Sequence, residues 1–272
     1  MSKPRISIVT PSLNQAVFIE RTIRSVIEQR GDFELEYLIF DGGSQDGTHA
    51  ILDKYRGIAG ITIETDRGQS DAINKGLRQV TGEIIGWLNS DDVLWPGALA
   101  KVAAAFQAAP DRQWVHGGCM MIDSHDHPMR EWVMAYKSRR AKNFSLKKLL
   151  LENFVNQMTV FWRRSAMDQI GLLDPDLKYA FDYDYWLRLS RLGPPLYIPE
   201  VLAGFRMHGD SKSGAQFKKQ FLEDFKVFRR HAPANDSLLY LRKAVRSALI
   251  VSTYQLMNMR LKISRPSQAC AL

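Results

Sequence analysis

The 272-residue sequence is poor in cysteine: Cys119 and Cys270 stand far apart and without metal-ligand spacing. A disulfide framework and a cysteine-based zinc site are thereby excluded, and a reducing compartment is expected. The stretch that opens with Met-Ser-Lys-Pro-Arg carries no apolar signal-peptide core. No run approaches the roughly 18 apolar residues needed to span a bilayer, so a cytoplasmic protein that does not cross the membrane is expected. Glycine is missing between the first apolar run, residues 6–9, and Gly31. That absence removes the glycine-rich turn on which dinucleotides and related cofactors sit. The same loop, Thr10-Pro-Ser-Leu-Asn14, contains no Lys or Arg, which argues against a nucleotidyltransferase. Internal repeats and low-complexity segments are also absent.

What is present describes an ordinary globular chain, 45% hydrophobic and 24% charged, long enough for one large α/β domain with a helical appendage. Its charge is uneven. From Arg206 to Leu272 there are 13 Lys and Arg against 4 Asp and Glu, while residues 1–205 carry 24 against 25. A second basic cluster, Lys137, Arg139, Arg140, Lys142, Lys147 and Lys148, has no acid within it.

Short apolar runs at residues 6–9, 36–40, 61–64 and 84–88 read as strands buried on both faces of a parallel sheet, alternating with helical spacing. The last three are followed by carboxylates: Asp41, then Asp66, then the pair Asp91 and Asp92. In open α/β sheets ligands bind beyond the carboxyl ends of the strands. Adjacent carboxylates repel unless a cation or a hydrogen-bond donor lies between them. Asn89-Ser-Asp-Asp92 therefore reads either as a turn leading into a helix or as a site for a divalent cation carrying a phosphate. The helix is expected over residues 93–109 with Leu94 on its apolar face. Asp41-Gly-Gly-Ser-Gln-Asp-Gly-Thr48 lets backbone approach a flat ligand, although Ser44 and Asp46 are also plain helix caps. In Asp66-Arg-Gly-Gln-Ser-Asp-Ala-Ile-Asn-Lys75, Asp71 and Lys75 are spaced for a surface ion pair. The alternative is a nucleotide-contacting turn with Arg67 and Lys75 on phosphate and Asp71 on sugar or base.

These four motifs, in this order and spacing, resemble glycosyltransferase family 2 over residues 5 to about 110. The resemblance implies a GT-A fold: a Rossmann-like α/β domain with a mostly parallel central sheet flanked by helices, here with a C-terminal helical extension. It implies inverting transfer of a sugar from a nucleoside diphosphate sugar, commonly a UDP-sugar, to an acceptor hydroxyl on a glycan or lipid-linked molecule, in bacterial surface polysaccharide or glycolipid assembly. A divalent metal ion, manganese or magnesium, is the implied cofactor. Carried onto this sequence, the donor site comprises Thr10, Pro11, Asn14, Asp41, Asp66, Arg67, Gly68, Asp71, Lys75 and Asp91. The metal site comprises Asp91, Asp92 and His208. Many members read Asp-x-Asp-Asp where this chain begins with Asn89, so which of Asp91 and Asp92 is the main ligand stays open.

Farther along, Phe181-Asp-Tyr-Asp184 opens a helix, where Asp182 matches the family's catalytic base and Asp184 its neighbour. A carboxylate there is equally a helix cap. Tyr183 and Trp186, with Tyr179, Phe181 and Tyr185, read as a stacking wall for an acceptor sugar. His116, His125 and His127 read as core or surface histidines rather than ligands. The expected organisation is a catalytic domain over residues 1–211, with a donor half to residue 110 and an acceptor half beyond it, and a basic helical extension over 212–272. In that extension Phe217, Phe221, Phe225 and Phe228, then Leu238, Leu241, Val245, Leu249, Tyr254 and Leu261, mark apolar helix faces. These either pack on the domain or leave a basic face, with Lys137 to Lys148, to rest peripherally on an anionic membrane surface at its inner face. Nucleic acid is not an expected partner, and the sequence does not fix the oligomeric state.

Overall fold

The computed structural model describes residues 3–208 and 217–263, of which 217–218 and 252–263 by their backbone alone. The boundary expected near residue 211, residues 209–213 after His208, Cys270, and the side chains of Phe217, Tyr254 and Leu261 therefore lie outside the described residues.

In chain order the elements are β1 (Arg5–Ser12), α1 (Ile19–Ile27), β2 (Glu34–Asp41), α2 (Thr48–Asp53), β3 (Gly60–Ile63), α3 (Gln69–Leu77), β4 (Ile84–Trp87), β5 (Val93–Leu94) and α4 (Ala98–Ala108). They continue with β6 (Trp114–Ile122), α5 (Glu131–Lys142), α6 (Leu146–Leu151), β7 (Phe161–Arg163), α7 (Arg164–Ile170), α8 (Phe181–Leu189), β8 (Leu196–Arg206), α9 (Phe217–His231) and α10 (Ser237–Ile263). One eight-stranded sheet runs β3-β2-β1-β4-β7-β6-β8-β5. The pairs β1–β2, β2–β3, β1–β4 and β6–β8 are parallel, and β7 and β5 enter antiparallel. This is the mixed, mostly parallel sheet flanked by helices that the apolar runs predict.

Strand β4 is buried at every position, and β1 at all but its first. Both lack the alternation of a half-exposed strand because helices cover both faces. Two cores result. One gathers Ile6, Ile8, Ile19, Ile23 and Ile39 with the apolar face of α4. The other holds Val9, Ile73 and Leu77 together with Trp87, Trp114, Trp162 and Trp186 and reaches Val227, Phe228 and Leu239 of the C-terminal helices. Helix α3 lies close on β1 because position 76 is glycine, where a Cβ would come within 2.4 Å of Val9 Cγ1.

Several expectations need correction. Thr10, Pro11 and Ser12 belong to β1 rather than to a loop. Val93 and Leu94 do not start a helix; they form β5 against Gly204 and Ala203 of β8, and the helix starts at Ala98. Residues 196–206 form one long strand, bulged where Gly117 and Gly118 of β6 face it. No helix among the described residues is long and apolar enough to cross a membrane.

Candidate active site

The carboxyl ends of β1, β2 and β4 meet at one edge of the sheet, and the sequence explains how each end is shaped. After β2, Asp41 turns back on its own backbone. Its Oδ1 accepts from the N–H of Gly43 and Ser44 and faces His49 Nε2 at 2.9 Å, while Oδ2 accepts from the Ser44 hydroxyl. Burial alone would raise this carboxyl; the Ser44 and His49 donors outweigh it and hold it below the ordinary range. Asn14, in the left-handed region at φ 53°, ties the first turn to the second: its N–H donates to Ser44 Oγ and its Oδ1 accepts from Gln45 N–H. Thr10 is buried against the Tyr37 hydroxyl at 3.1 Å, beside the equally buried Pro11. Asp46 accepts from Thr48 and from Ala16 N–H, so it binds the α2 start to the α1 entry.

The third turn is braced mostly by its own residues. Asp66 accepts from Gly68 N–H, and its Oδ2 lies so near Gly42 that a Cβ there would stand 2.5 Å away. Gly68, at φ 126°, lets the chain swing into α3. Asp71 is buried and held low first by the N–H of Arg67 and then by its guanidinium, 3.5 Å away. Lys75 does not pair with Asp71, as its spacing suggested; its ammonium reaches Glu64 at 2.9 Å and the Thr65 carbonyl at 2.7 Å.

Past β4 the two adjacent carboxylates take different positions. Asp92 is fully buried: its Oδ1 accepts from the N–H of Arg206, and its Oδ2 lies 3.3 Å from Asn89 Nδ2. Burial first, and the neighbouring Asp91 charge second, push its carboxyl well above the ordinary range. Asp91 points outward, and its Oδ2 stands 3.0 Å from His208 Nε2, with side chains 21% and 10% exposed. Asn89 also accepts from Gln69, so a neutral amide occupies the place where a third charge would lie beside buried Asp92. Arg206, which sequence reasoning passed over, organises this end. Fully buried beneath the Phe18 ring, it donates to the carbonyls of Asp91 and Asp123 and pairs with Asp126. A buried arginine at a strand end is the one signal that could have revealed it.

Asp182 sits at the start of α8, half-buried. Its Oδ1 accepts from Tyr183 N–H and its Oδ2 lies 3.3 Å from Asn153 Nδ2. Burial pushes it up to about 6, against those two donors and the charge of Lys137. The preceding Phe181 packs at 6.3 Å on Trp87, the last residue of β4, which brings α8 to the sheet edge that bears Asp91. The buried Asn74 of α3 bonds twice to Leu173, fixing the approach to α8 against the donor-side helix.

The other acceptor-side expectations are corrected. Tyr183 and Trp186 are core residues: the Tyr183 hydroxyl donates to the Leu150 carbonyl, and Trp186 stacks between Trp87 at 5.2 Å and Trp114 at 6.3 Å. Both side chains are fully buried in the core, which is why they cannot form a sugar wall. Asp184 is likewise turned inward, bound by Arg188 at 2.9 Å and by His231 of α9 at 2.8 Å. His116 is buried beside Trp114, while His125 and His127 lie exposed around Asp123. No group of three or more His, Cys, Asp or Glu gathers among the described residues.

Helix α9 supplies what the motifs did not. Glu223 accepts from three successive backbone N–H groups, Lys178, Tyr179 and Ala180, immediately before α8. A carboxylate there satisfies donors that would otherwise be orphaned and matches the positive end of the helix. Arg230 reaches Asp174 at 2.6 Å, and Asp224 pairs with the buried Lys243 of α10. Of the basic cluster, Lys137 turns in to Asn156 and Arg140 to Glu152, which also holds Arg246.

The sequence matches the family described as Glycosyl transferase family 2 over residues 7–171. A PGL/p-HBAD biosynthesis glycosyltransferase of Mycobacterium bovis is 30% identical over 82% of this chain and 84% of its own length. An uncharacterized glycosyltransferase of Rickettsia typhi is 26% identical over 75% of this chain, which spans 64% of that relative. Among solved structures, S. aureus TarS residues 1–349 in complex with UDP-GlcNAc superposes with a TM-score of 0.65 at 16% identity, covering 89% and 71% of the two chains. A Pyrobaculum calidifontis mannosyltransferase in complex with GDP-Man and Mn2+ gives 0.65 at 17% identity, covering 94% and 81%. The architecture is that of the GT-A glycosyltransferases.

Proposed function

Since the chain belongs to glycosyl transferase family 2 and is thus a glycosyl transfer enzyme, we propose that it moves a sugar with inversion from a nucleoside diphosphate sugar, a UDP-sugar, to an acceptor hydroxyl. The observation that carries this reading is Asp182. It is a half-buried carboxylate raised to about 6, at the start of a helix whose Phe181 packs on Trp87, the last residue of the strand that leads to Asp91. A base of that strength is mostly ionised at neutral pH yet basic enough to take a hydroxyl proton as the oxygen attacks the anomeric carbon. One base is enough, because a leaving diphosphate needs no proton, unlike the leaving alcohol of glycoside hydrolysis.

Asp91 and His208 are the residues that would hold a divalent cation, manganese or magnesium. An outward carboxylate oxygen and an imidazole nitrogen 3.0 Å apart suit such an ion, with donor phosphate oxygens completing its shell. When bound it supplies positive charge opposite the diphosphate. Asp92 serves that pair indirectly, by fastening the β4 end to Arg206. The outlying donor contacts fall to Arg67 and Lys75, whose cationic groups border the α3 entry, and to the backbone turns shaped by Asn14, Asp41, Asp66 and Gly68. The Mycobacterium relative's place in PGL/p-HBAD biosynthesis supports a lipid-linked or glycan acceptor in surface glycolipid or polysaccharide assembly.

The test is incubation with UDP-GlcNAc, UDP-glucose and GDP-mannose and candidate lipid-linked acceptors, with the released nucleotide identified. Release of nucleoside diphosphate together with a glycosylated acceptor supports the reading. Release of pyrophosphate would replace it with nucleotidyl transfer.

A further inference from the structure

Helix α10 is amphipathic the wrong way round for a helix that ends in water. Its inner face carries Leu239 and the fully buried Lys243, whose ammonium pairs with Asp224 and lies over the rings of Tyr183 and Phe228. Its outer face carries Leu238, Leu241 and Val245, spaced three and four apart and 54%, 61% and 53% exposed. The spacing puts these three on one stripe. The sequence led us to expect leucines on the packed side; instead the lysine is inside and the aliphatic residues are outside. A stripe of this kind on a lone surface helix marks a face that something covers.

The surroundings identify the occupant. At 3.6 residues per turn, Arg242 and Arg246 run along one border of the stripe. Arg246 bonds to the Tyr136 hydroxyl and to Glu152, which brings α5 alongside. On α5, Trp132 is 60% exposed one turn from Tyr136, and Arg139 and Lys142 are exposed beyond it. At this border Glu152 is neutralised by Arg140 and Arg246. Aliphatic side chains in the middle, an indole and a phenol at the edge and the exposed cations Arg139, Lys142 and Arg242 around them match the layers of an anionic bilayer surface: acyl boundary, interface and headgroup. From this placement we infer that the outer face of α10, with Trp132 and Tyr136, lies in the interfacial layer of an anionic membrane. A second copy of this chain would bring the same cations against themselves, because a two-fold contact pairs a patch with itself. The inference does not depend on the glycosyltransferase reading: it stands on the apolar stripe and the sign of the charge around it.

The experiment is flotation of the full chain with vesicles of phosphatidylglycerol and phosphatidylcholine, and with phosphatidylcholine alone. The protein floats with the anionic vesicles and is released by high salt. The double variant Leu241→Glu/Val245→Glu binds at least about tenfold more weakly, with its melting temperature and its nucleotide-sugar turnover in detergent solution unchanged. Absence of binding by the wild type, or equal binding of wild type and variant, overturns the inference. So does a wild-type dimer in sedimentation that the same variant converts to monomer without any vesicle binding, which would assign the stripe to a second copy.

Discussion

Asp41, Asp66 and Asp71 on the donor side accept backbone hydrogen bonds from residues two to four positions away, and Asn14 and Asp46 tie the first two turns to each other. Asp182 on the other side is approached by Asn153, and the segment before it by Glu223, 43 to 45 residues away. One region is built of turns braced by their own backbone and by the adjoining turn at a sheet edge, and the other is clamped together from distant helices. Damage to a donor turn should therefore stay local. Damage to the clamp should travel to the base.

The largest effect that can probe this contrast is expected at Asp182 itself. Asp182→Asn keeps the shape and removes the basicity, so kcat falls by about 10²–10⁴ with donor affinity retained, as measured by nucleotide-sugar titration. The same variant should be more stable than the wild type at pH 7. Its raised carboxyl favours the folded state fully only below the unfolded value of about 3.9, and that contribution is lost as pH rises through about 6. A lower melting temperature at pH 7 would count against the buried, raised carboxyl.

Next comes the pair at the β4 end. Asp91→Ala should cut turnover about 10²–10³-fold with the fold intact, and chelator should mimic it until manganese or magnesium is restored. Asp92→Ala should instead lower the melting temperature, because the N–H of Arg206 loses its buried acceptor. Wild-type activity undiminished in excess chelator would remove the cation from the account.

The pH profile of kcat/KM should fall about tenfold per unit below about 6 and flatten above about 7, since only ionised Asp182 accepts a proton. A limb unchanged in Asp182→Glu and wild type alike would assign it to another group.

A smaller effect tests the clamp alone. Glu223→Ala leaves three N–H groups before α8 without their carboxylate, costing about 1–3 kcal/mol of stability. If the clamp positions the base, kcat also falls about tenfold while donor affinity holds, and Glu223→Gln recovers part of the loss. Unaltered kcat beside a lowered melting temperature would make Glu223 structural only. The least effect is expected at Arg67→Ala, whose partner Asp71 keeps its backbone donor: the exposed pair is worth at most about 1 kcal/mol. A large loss of stability there would contradict the picture of turns braced by their own backbone.

How much could be read from the sequence follows the same division. The strands and the carboxylates at their ends were legible, because apolar runs ending in Asp and Gly report purely local geometry, whereas the Asp91–His208 meeting across 117 residues was expected only through the family resemblance. Asp182 was found only through its motif. Its supports were invisible, since nothing at residue 223 announces that its carboxylate will cap residues 178–180. The inward turn of Tyr183, Asp184 and Trp186 escaped because an aromatic-rich helix start looks alike whether it faces a sugar or a core. Lys243 misled for a related reason: a lysine reads as solvent-facing until Asp224 and two aromatic rings are found waiting for it.

The position of β7 has a consequence for how the molecule is assembled in time. The half-sheet β3-β2-β1-β4 is complete once residue 87 has emerged, but β4 is then an open edge, and the strand that covers it arrives about 70 residues later. At a synthesis rate of about 5–20 residues per second, that edge waits for roughly 4–15 s. Ile84 and Ile85 stand on it with unpaired backbone groups, the kind of template that recruits a foreign strand. A nascent chain stalled between residues 90 and 160 should therefore be the species that aggregates or engages chaperones, and addition of residues 161–163 should end that susceptibility.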